Sequence, residues 1–103
     1  MSDTNTYFIS FTLHSGPDYS DRYNDLIESL QFIATGKWWD ETTSFVLLET
    51  DERMASVVDA VKNNIDLSED VALIGRVGFK DWSIVGANKD EDAFALVPFL
   101  KKR

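Results

Sequence analysis

Hydrophobic and polar residues alternate near the start of the chain, from Tyr7 to Leu13. The hydrophobic positions of one set are Tyr7, Ile9, Phe11 and Leu13, and the positions between them are Phe8, Ser10 and Thr12. A period of two is typical of a strand that buries one face. We therefore predict a first strand here, with Thr12 and His14 opposite the core face and Gly16-Pro17 ending the strand.

The spacing of hydrophobic residues changes to three and four after Asp18, which predicts a helix. The buried stripe of this helix is predicted to be Tyr23, Leu26, Ile27, Leu30 and Ile33 or Ala34. Asp18 suits the N-cap position, and Gly36 suits the end of the helix. A second stripe, Met54, Val57, Val58 and Val61, predicts another helix, capped by Thr50 or Asp51 and followed by the loop residues Asn63 and Asn64.

The remaining segments predict three strands and a C-terminal element. "KWWDE" and "TSFVLLET" are rich in aromatic and β-branched residues and predict two strands joined by a turn near residues 41–43, and "VALIGRV" at 71–77 predicts a fourth strand. "NKDEDAF" resembles a capping box, but Pro98 limits the length of a helix there. We predict a short helix, with a strand over "AFALVPFL" as the alternative.

The order strand, helix, strand, strand, helix, strand predicts an α+β fold. Its expected form is a single ferredoxin-like βαββαβ domain over residues 1–103, with an antiparallel sheet, two helices on one face and a short C-terminal segment. Another small α+β layering of the same elements is the alternative. Phe8, one member of the Trp38-Trp39 pair and one alternating set from residues 45–48 then fall on the face without helices. We expect a homodimer to bury that face, or the C-terminal segment to fold over it.

Charge and composition narrow the classes of function. Eighteen Asp and Glu against ten Lys and Arg give a net charge of -8, which repels phosphate backbones and makes nucleic-acid binding a poor expectation. No cysteine is present to form a disulfide or a zinc-thiolate site. The start "MSDTNTYF" lacks the features of a signal peptide, and no segment is long and apolar enough to span a membrane, so we expect a cytoplasmic protein. No glycine-rich phosphate-binding motif occurs, and no cofactor is predicted.

Two groups of residues near the first turn are candidates for chemistry. His14, the only histidine, is placed to act as a general base with Asp18 or Asp21 as its orienting acid, although an exposed loop histidine is the favoured interpretation. The acidic stripe Asp18, Asp21, Asp25 and Glu28 allows a magnesium or calcium site, but a solvated helix face is favoured.

Several segments together resemble a known family. These are "YFISFTLHSGPDYSDRYNDLIESL", "KWWDETTSFVLLETD", "VALIGRV" and "KDWSIVG". The chain is similar along almost its whole length to the small SinR-like proteins, relatives of the ferredoxin-fold CRISPR-associated adaptation nuclease. The resemblance implies a domain that dimerises through its sheet, in a family whose catalytic members bind a metal with an aspartate at the end of the first strand. Thr12 matches that aspartate here, and a neutral hydroxyl does not replace a carboxylate as a ligand of a hard cation.

The sequence therefore predicts a non-catalytic, acidic binding or regulatory protein that acts through protein contacts as a dimer. The candidate binding residues are Thr12, His14, Asp18, Trp38, Trp39 and Trp82. One alternative is a metal-dependent nuclease that has moved its ligands to Asp18 or another acid. The other is an acidic inhibitor, of the kind phages encode, which imitates nucleic acid and occupies a defence complex that handles nucleic acid.

Overall fold

The computed structural model describes residues 4–103, which form a six-stranded, mostly antiparallel sheet and three helices. In chain order the elements are β1 (Asn5–Thr12), α1 (Tyr19–Ile33), β2 (Trp38–Trp39), β3 (Phe45–Thr50), α2 (Met54–Lys62), β4 (Val71–Arg76), β5 (Trp82–Gly86), α3 (Asp92–Leu96) and β6 (Lys101–Lys102). The strands lie in the order β2-β3-β1-β4-β5-β6, and only the β5–β6 pair is parallel. The predicted α+β class is confirmed.

The core lies between the two longer helices and one face of the sheet. Tyr7, Ile9 and Phe11 of the central strand β1 are buried there, as the alternation predicted. Leu26 and Leu30 of α1 and the whole predicted stripe of α2 join the same cluster. Because burying one such side chain contributes about 1.5–3 kcal/mol, this cluster is the main source of stability.

Helix α1 ends earlier than the prediction placed it. Asp18 does occupy the N-cap position, although its side chain makes no capping hydrogen bond. The helix ends at Ile33, not at Gly36, and Ala34 already has an extended backbone. The reason is contact with β3. The Thr50 hydroxyl donates a hydrogen bond to the Ile33 carbonyl at 2.6 Å, and the residues that follow the helix form backbone hydrogen bonds with β3.

The predicted caps of α2 were wrong. The N-cap residue is Arg53, not Thr50 or Asp51. Thr50 instead completes β3 and is buried, and its hydroxyl also accepts a hydrogen bond from the Glu52 amide at 3.1 Å. That hydroxyl stabilises the β3–α2 connection and is not available to cap the helix.

The predicted short helix in the C-terminal region is α3, and the alternative strand over "AFALVPFL" was wrong. A two-residue strand that was not predicted, β6, follows and pairs with β5. Strand β5 itself was not predicted from the pattern, because Ser83, Ile84 and Val85 are all buried and no alternation marks them. In the part of the chain that the structure describes, no helix has both the length and the apolar character needed to cross a membrane.

Candidate functional site

The face of the sheet opposite the core carries a row of aromatic side chains. Trp39 and Phe8 each lie opposite Leu47, and Phe8 and Trp82 each lie opposite Gly75 in the strand register. Residues directly opposite one another in a sheet point to the same face. These side chains therefore share one face, which we call the open face, since α1 and α2 bury their stripes against the other.

Five rings cross the open face from one edge of the sheet to the other, and we call them the aromatic row. In spatial order they are Trp39, Phe45, Phe8, Trp82 and Phe99, with successive ring centroids 6.3, 5.9, 5.0 and 5.9 Å apart. Three of the contacts are edge-to-face, and Phe8 and Phe45 stack. Such pairs contribute about 0.5–1.5 kcal/mol each beyond the area that they bury.

Gly75 allows the aromatic row to lie close to the sheet. A Cβ atom at this position would be 2.0 Å from Cε2 of Phe8, so any larger residue displaces the ring. Trp39, at one end of the row, remains 41% exposed. At the other end Phe99, from the C-terminal segment, packs against Trp82, so this segment reaches the edge of the open face.

The open face carries almost no charge over its central strands. Its residues there are Thr6, Phe8, Ser10 and Thr12 of β1, Phe45, Leu47 and Glu49 of β3, and Val71, Leu73 and Gly75 of β4. Glu49 is the one charged residue of this set, and its carboxylate accepts a hydrogen bond from the Lys37 amide at 2.7 Å. The low charge is notable because 27% of the chain is charged.

The predicted binding residues fall in different places. Trp39 and Trp82 belong to the aromatic row, and Thr12 lies exposed on the same face at the end of β1. Trp38 instead lies opposite Leu48 and packs against the core. Asp18 is exposed at the start of α1, so the structure does not gather these residues into one site.

His14 belongs to a separate cluster around Asp70, which we call the Asp70 corner. The Asp70 side chain is 0% exposed and accepts hydrogen bonds from His14 Nδ1 at 2.8 Å, the His14 amide at 2.8 Å and the Asp66 amide at 2.7 Å. A fourth donor is Arg22 Nη2. Arg22 also donates from Nη1 to the His14 carbonyl at 3.2 Å. These bonds join the ends of β1, α1 and the α2–β4 loop.

The hydrogen bonds decide the ionisation of Asp70. Burial raises the pKa of this carboxyl group, but the Asp66 and His14 amides, the His14 ring and Arg22 together outweigh burial and lower the pKa to about 2. An ionised carboxylate only accepts hydrogen bonds, so His14 Nδ1 is the donor in this pair. The imidazole ring is thereby fixed, with 36% of the side chain exposed.

The sequence prediction for His14 was wrong in its choice of partner. The acid that orients the ring is Asp70, not Asp18 or Asp21, and the ring is not an isolated loop histidine. Asp70 and Arg22 were both missed. Asp70 lies in the acidic run "LSED", and no local pattern indicates that it contacts residues 48 and 56 positions away.

The Asp70 corner has the orientation of a histidine–acid pair. Within residues 4–103, no Ser, Thr or Lys side chain forms a hydrogen bond with the His14 ring. Over the same residues, no three His, Asp or Glu side chains converge in a way that suits a metal ion. The geometry supports a role for this corner in fixing the loops.

The comparisons with known proteins give no further guide to the site. No family model, curated protein or solved structure matches the chain.

Proposed function

We propose that the chain is a ferredoxin-like domain with two added strands. Its first four strands lie in the order β2-β3-β1-β4, every neighbouring pair is antiparallel, and α1 and α2 provide the two crossover connections. This arrangement supports the split βαββαβ topology expected from the sequence. Strands β5 and β6 then extend the sheet beyond β4.

On this scaffold we propose a non-catalytic binding protein that forms a homodimer through its open face. The aromatic row is the observation that carries the proposal. Interface cores are enriched in aromatic residues and depleted of charged ones, as this face is. In a two-fold dimer the same patch meets itself, so two rows of rings would pack face to face.

The net charge favours this face over the rest of the surface. Two copies that each carry a charge of -8 repel one another at long range. Contact through strands that carry Glu49 as their one central charge would add little to that repulsion. A patch with so little charge on an acidic domain supports self-association more than capture of a polyanion.

Size-exclusion chromatography with light scattering tests the dimer. We expect the mass of two chains for the unaltered protein and of one chain for Trp39→Asp, because the interface would bury the new carboxylate against the apolar open face of the partner. Phe32→Asp is the matched control, since Phe32 is 90% exposed on α1, away from the open face. A monomeric parent protein, or equal dissociation of both variants, contradicts the proposal.

The proposed absence of catalysis has a separate test. Thr12, at the end of β1, has a neutral hydroxyl, which is a poor substitute for a carboxylate as a ligand of magnesium or manganese. This supports the proposal that Thr12 does not bind a metal. We expect no cleavage of RNA or DNA when the purified protein is incubated with either metal. Cleavage that is lost in Asp18→Ala would establish the nuclease alternative instead.

A further inference from the structure

A cavity at the end of the sheet farthest from the Asp70 corner gathers much of the positive charge of the chain. Its volume is about 1120 Å³, and it lies where β1 begins and β4 ends. Among residues 4–103, five Lys and Arg residues line it, together with two acids, Asp51 and Asp81. The five cationic residues are Arg53, Arg76, Lys80, Lys101 and Arg103, and we call this region the basic cavity. In a protein with a net charge of -8, the described side chains around this space therefore have an excess of three positive charges.

The cations of the basic cavity are not neutralised by ion pairs within the described residues. Both salt bridges found in residues 4–103 involve Asp70, at the opposite end of the sheet. Arg76 is held by neutral groups instead: Nε and Nη2 donate to the Asn5 side-chain oxygen at 3.0 and 2.5 Å. Its guanidinium lies 3.8 Å from the centre of the Phe79 ring. These contacts orient the guanidinium without an ion pair to any described acid.

The N-terminus of α2 adds to the positive potential of the basic cavity. Met54 and Ala55, in the first turn of this nine-residue helix, line the cavity. Arg53 gives the helix no side-chain cap, and no acidic residue lies in the first turn. The partial positive charge of a helix N-terminus favours an anion. Three separate segments of the chain, residues 53–55, 76–80 and 101–103, thus place positive charge around one space.

We propose that the basic cavity binds the phosphate groups of an organic polyphosphate of nucleotide size. Guanidinium and ammonium groups together suit several phosphate oxygens, since Arg binds them in a bidentate way and Lys as a point charge. The volume of about 1120 Å³ slightly exceeds the usual range of about 300–1,000 Å³ for small-molecule sites and is more than a single phosphate needs. Phe79 lines the cavity and is 56% exposed, so it offers a ring against which a base stacks.

The overall charge selects a small polyanion over a long one. A nucleotide fits within the region of local positive charge, whereas a nucleic-acid strand that continues past the cavity meets a surface dominated by acids. The basic cavity borders the open face, since Thr6 lies on both. Arg76, Phe79 and Lys80 also line a groove that reaches Trp82 of the aromatic row. The two tests remain distinguishable because one measures the mass of the protein without polyphosphate, and the other compares affinities between variants outside the aromatic row.

Calorimetric titration with three probes tests the proposal. Inorganic tripolyphosphate and ATP are expected to bind with one molecule per chain, and adenosine is expected not to bind. The double variant Arg53→Gln with Lys80→Gln is expected to weaken both affinities by about tenfold per side chain, because each loses a charge-assisted hydrogen bond. Lys37→Gln with Lys89→Gln is the control, because it removes the same charge outside the cavity and is expected to change affinity by less than about threefold.

Each remaining outcome also decides the question. Phe79→Ala is expected to weaken ATP binding more than tripolyphosphate binding, because the ring orients Arg76 for both ligands but stacks with a base only in ATP. Failure of both polyphosphates to bind, or equal weakening by the cavity and control variants, overturns the proposal. A short RNA that binds more tightly than ATP and loses affinity in the cavity variant overturns it in favour of nucleic acid. Single Lys80→Gln, a change at an exposed turn residue, repeats the test if the double variant is poorly folded.

Discussion

The two ends of the sheet carry charge in contrasting ways. At the Asp70 corner, one buried carboxylate accepts hydrogen bonds from four donors, which come from Arg22, Asp66 and His14. At the basic cavity, five cations line one space, and none of them forms an ion pair with a described residue. The first arrangement satisfies its charge with hydrogen bonds inside the fold, whereas the second has an excess of positive charge and no ion pair among residues 4–103.

This difference separates stability from binding. A buried charge that has all of its partners destabilises the protein when any partner is lost, because the remaining groups stay buried. Exposed like charges that lack partners contribute little to stability and repel one another slightly. We therefore expect substitutions at the Asp70 corner to change the free energy of unfolding and those at the basic cavity to change affinity.

The largest expected effect is that of Asp70→Asn. The Asn side chain keeps the shape of the carboxylate but has no charge. Its NH2 group is itself a donor, and it would lie against donors with no acceptor to bind. We expect the free energy of unfolding in urea to fall by about 3 kcal/mol or more. Asp18→Asn, at an exposed acid, is the control and is expected to change it by less than about 0.5 kcal/mol. A similar small change for both variants would mean that the corner does not stabilise the fold.

The second effect is a loss of stability in acid. The pKa of Asp70 is lowered from 3.8 to about 2 in the folded protein, so the stabilisation is complete above the unfolded value and is lost as pH falls from about 4 to about 2. The expected contribution is roughly 2 kcal/mol. NMR titration of the Asp70 carboxyl group checks the shift directly, and urea unfolding across this pH range checks the energy. A carboxyl group that titrates near 3.8 contradicts the assignment.

A smaller effect is expected for His14→Ala. The variant removes one ring donor, but the His14 amide and Arg22 continue to bind Asp70. We expect a loss of about 1 kcal/mol in urea unfolding, the usual net value of one hydrogen bond. A loss as large as that of Asp70→Asn would show that the ring, and not the set of donors, holds the carboxylate.

Local periodicity was enough to predict the parts of the fold that depend on one segment. The alternation around Phe8 indicated which side chains point away from the core, and the three-four spacing from Met54 to Val61 predicted α2. Strand β5 gave no such signal, because Ser83 to Val85 are buried on both faces. The helix ends were also predicted wrongly, because the Thr50 hydroxyl donates a hydrogen bond to the Ile33 carbonyl of a different element, α1.

Both charged regions depend on contacts that the sequence pattern does not show. Asp70 meets Arg22 and His14 only after the sheet forms, so the acid resembled any other loop acid in the sequence. The cations of the basic cavity are spread from position 53 to position 103, and the terminal "KKR" was the only visible basic run. The net charge of -8 therefore gave no indication of the local excess of positive charge at the basic cavity.

The smallest expected change in stability is that of the cavity variant Arg53→Gln with Lys80→Gln. Both residues are exposed and lack ion pairs among the described residues, so their removal relieves repulsion and breaks no such contact. We expect the free energy of unfolding at low salt to change by no more than about 0.5 kcal/mol, with any change in the stabilising direction. The same measurement with added tripolyphosphate sharpens the contrast: the ligand is expected to stabilise the parent protein and not the variant, because binding to the folded state alone shifts unfolding by mass action. Marked destabilisation of the variant without ligand would contradict this expectation and would mean that the cavity cations, like Asp70, stabilise the fold.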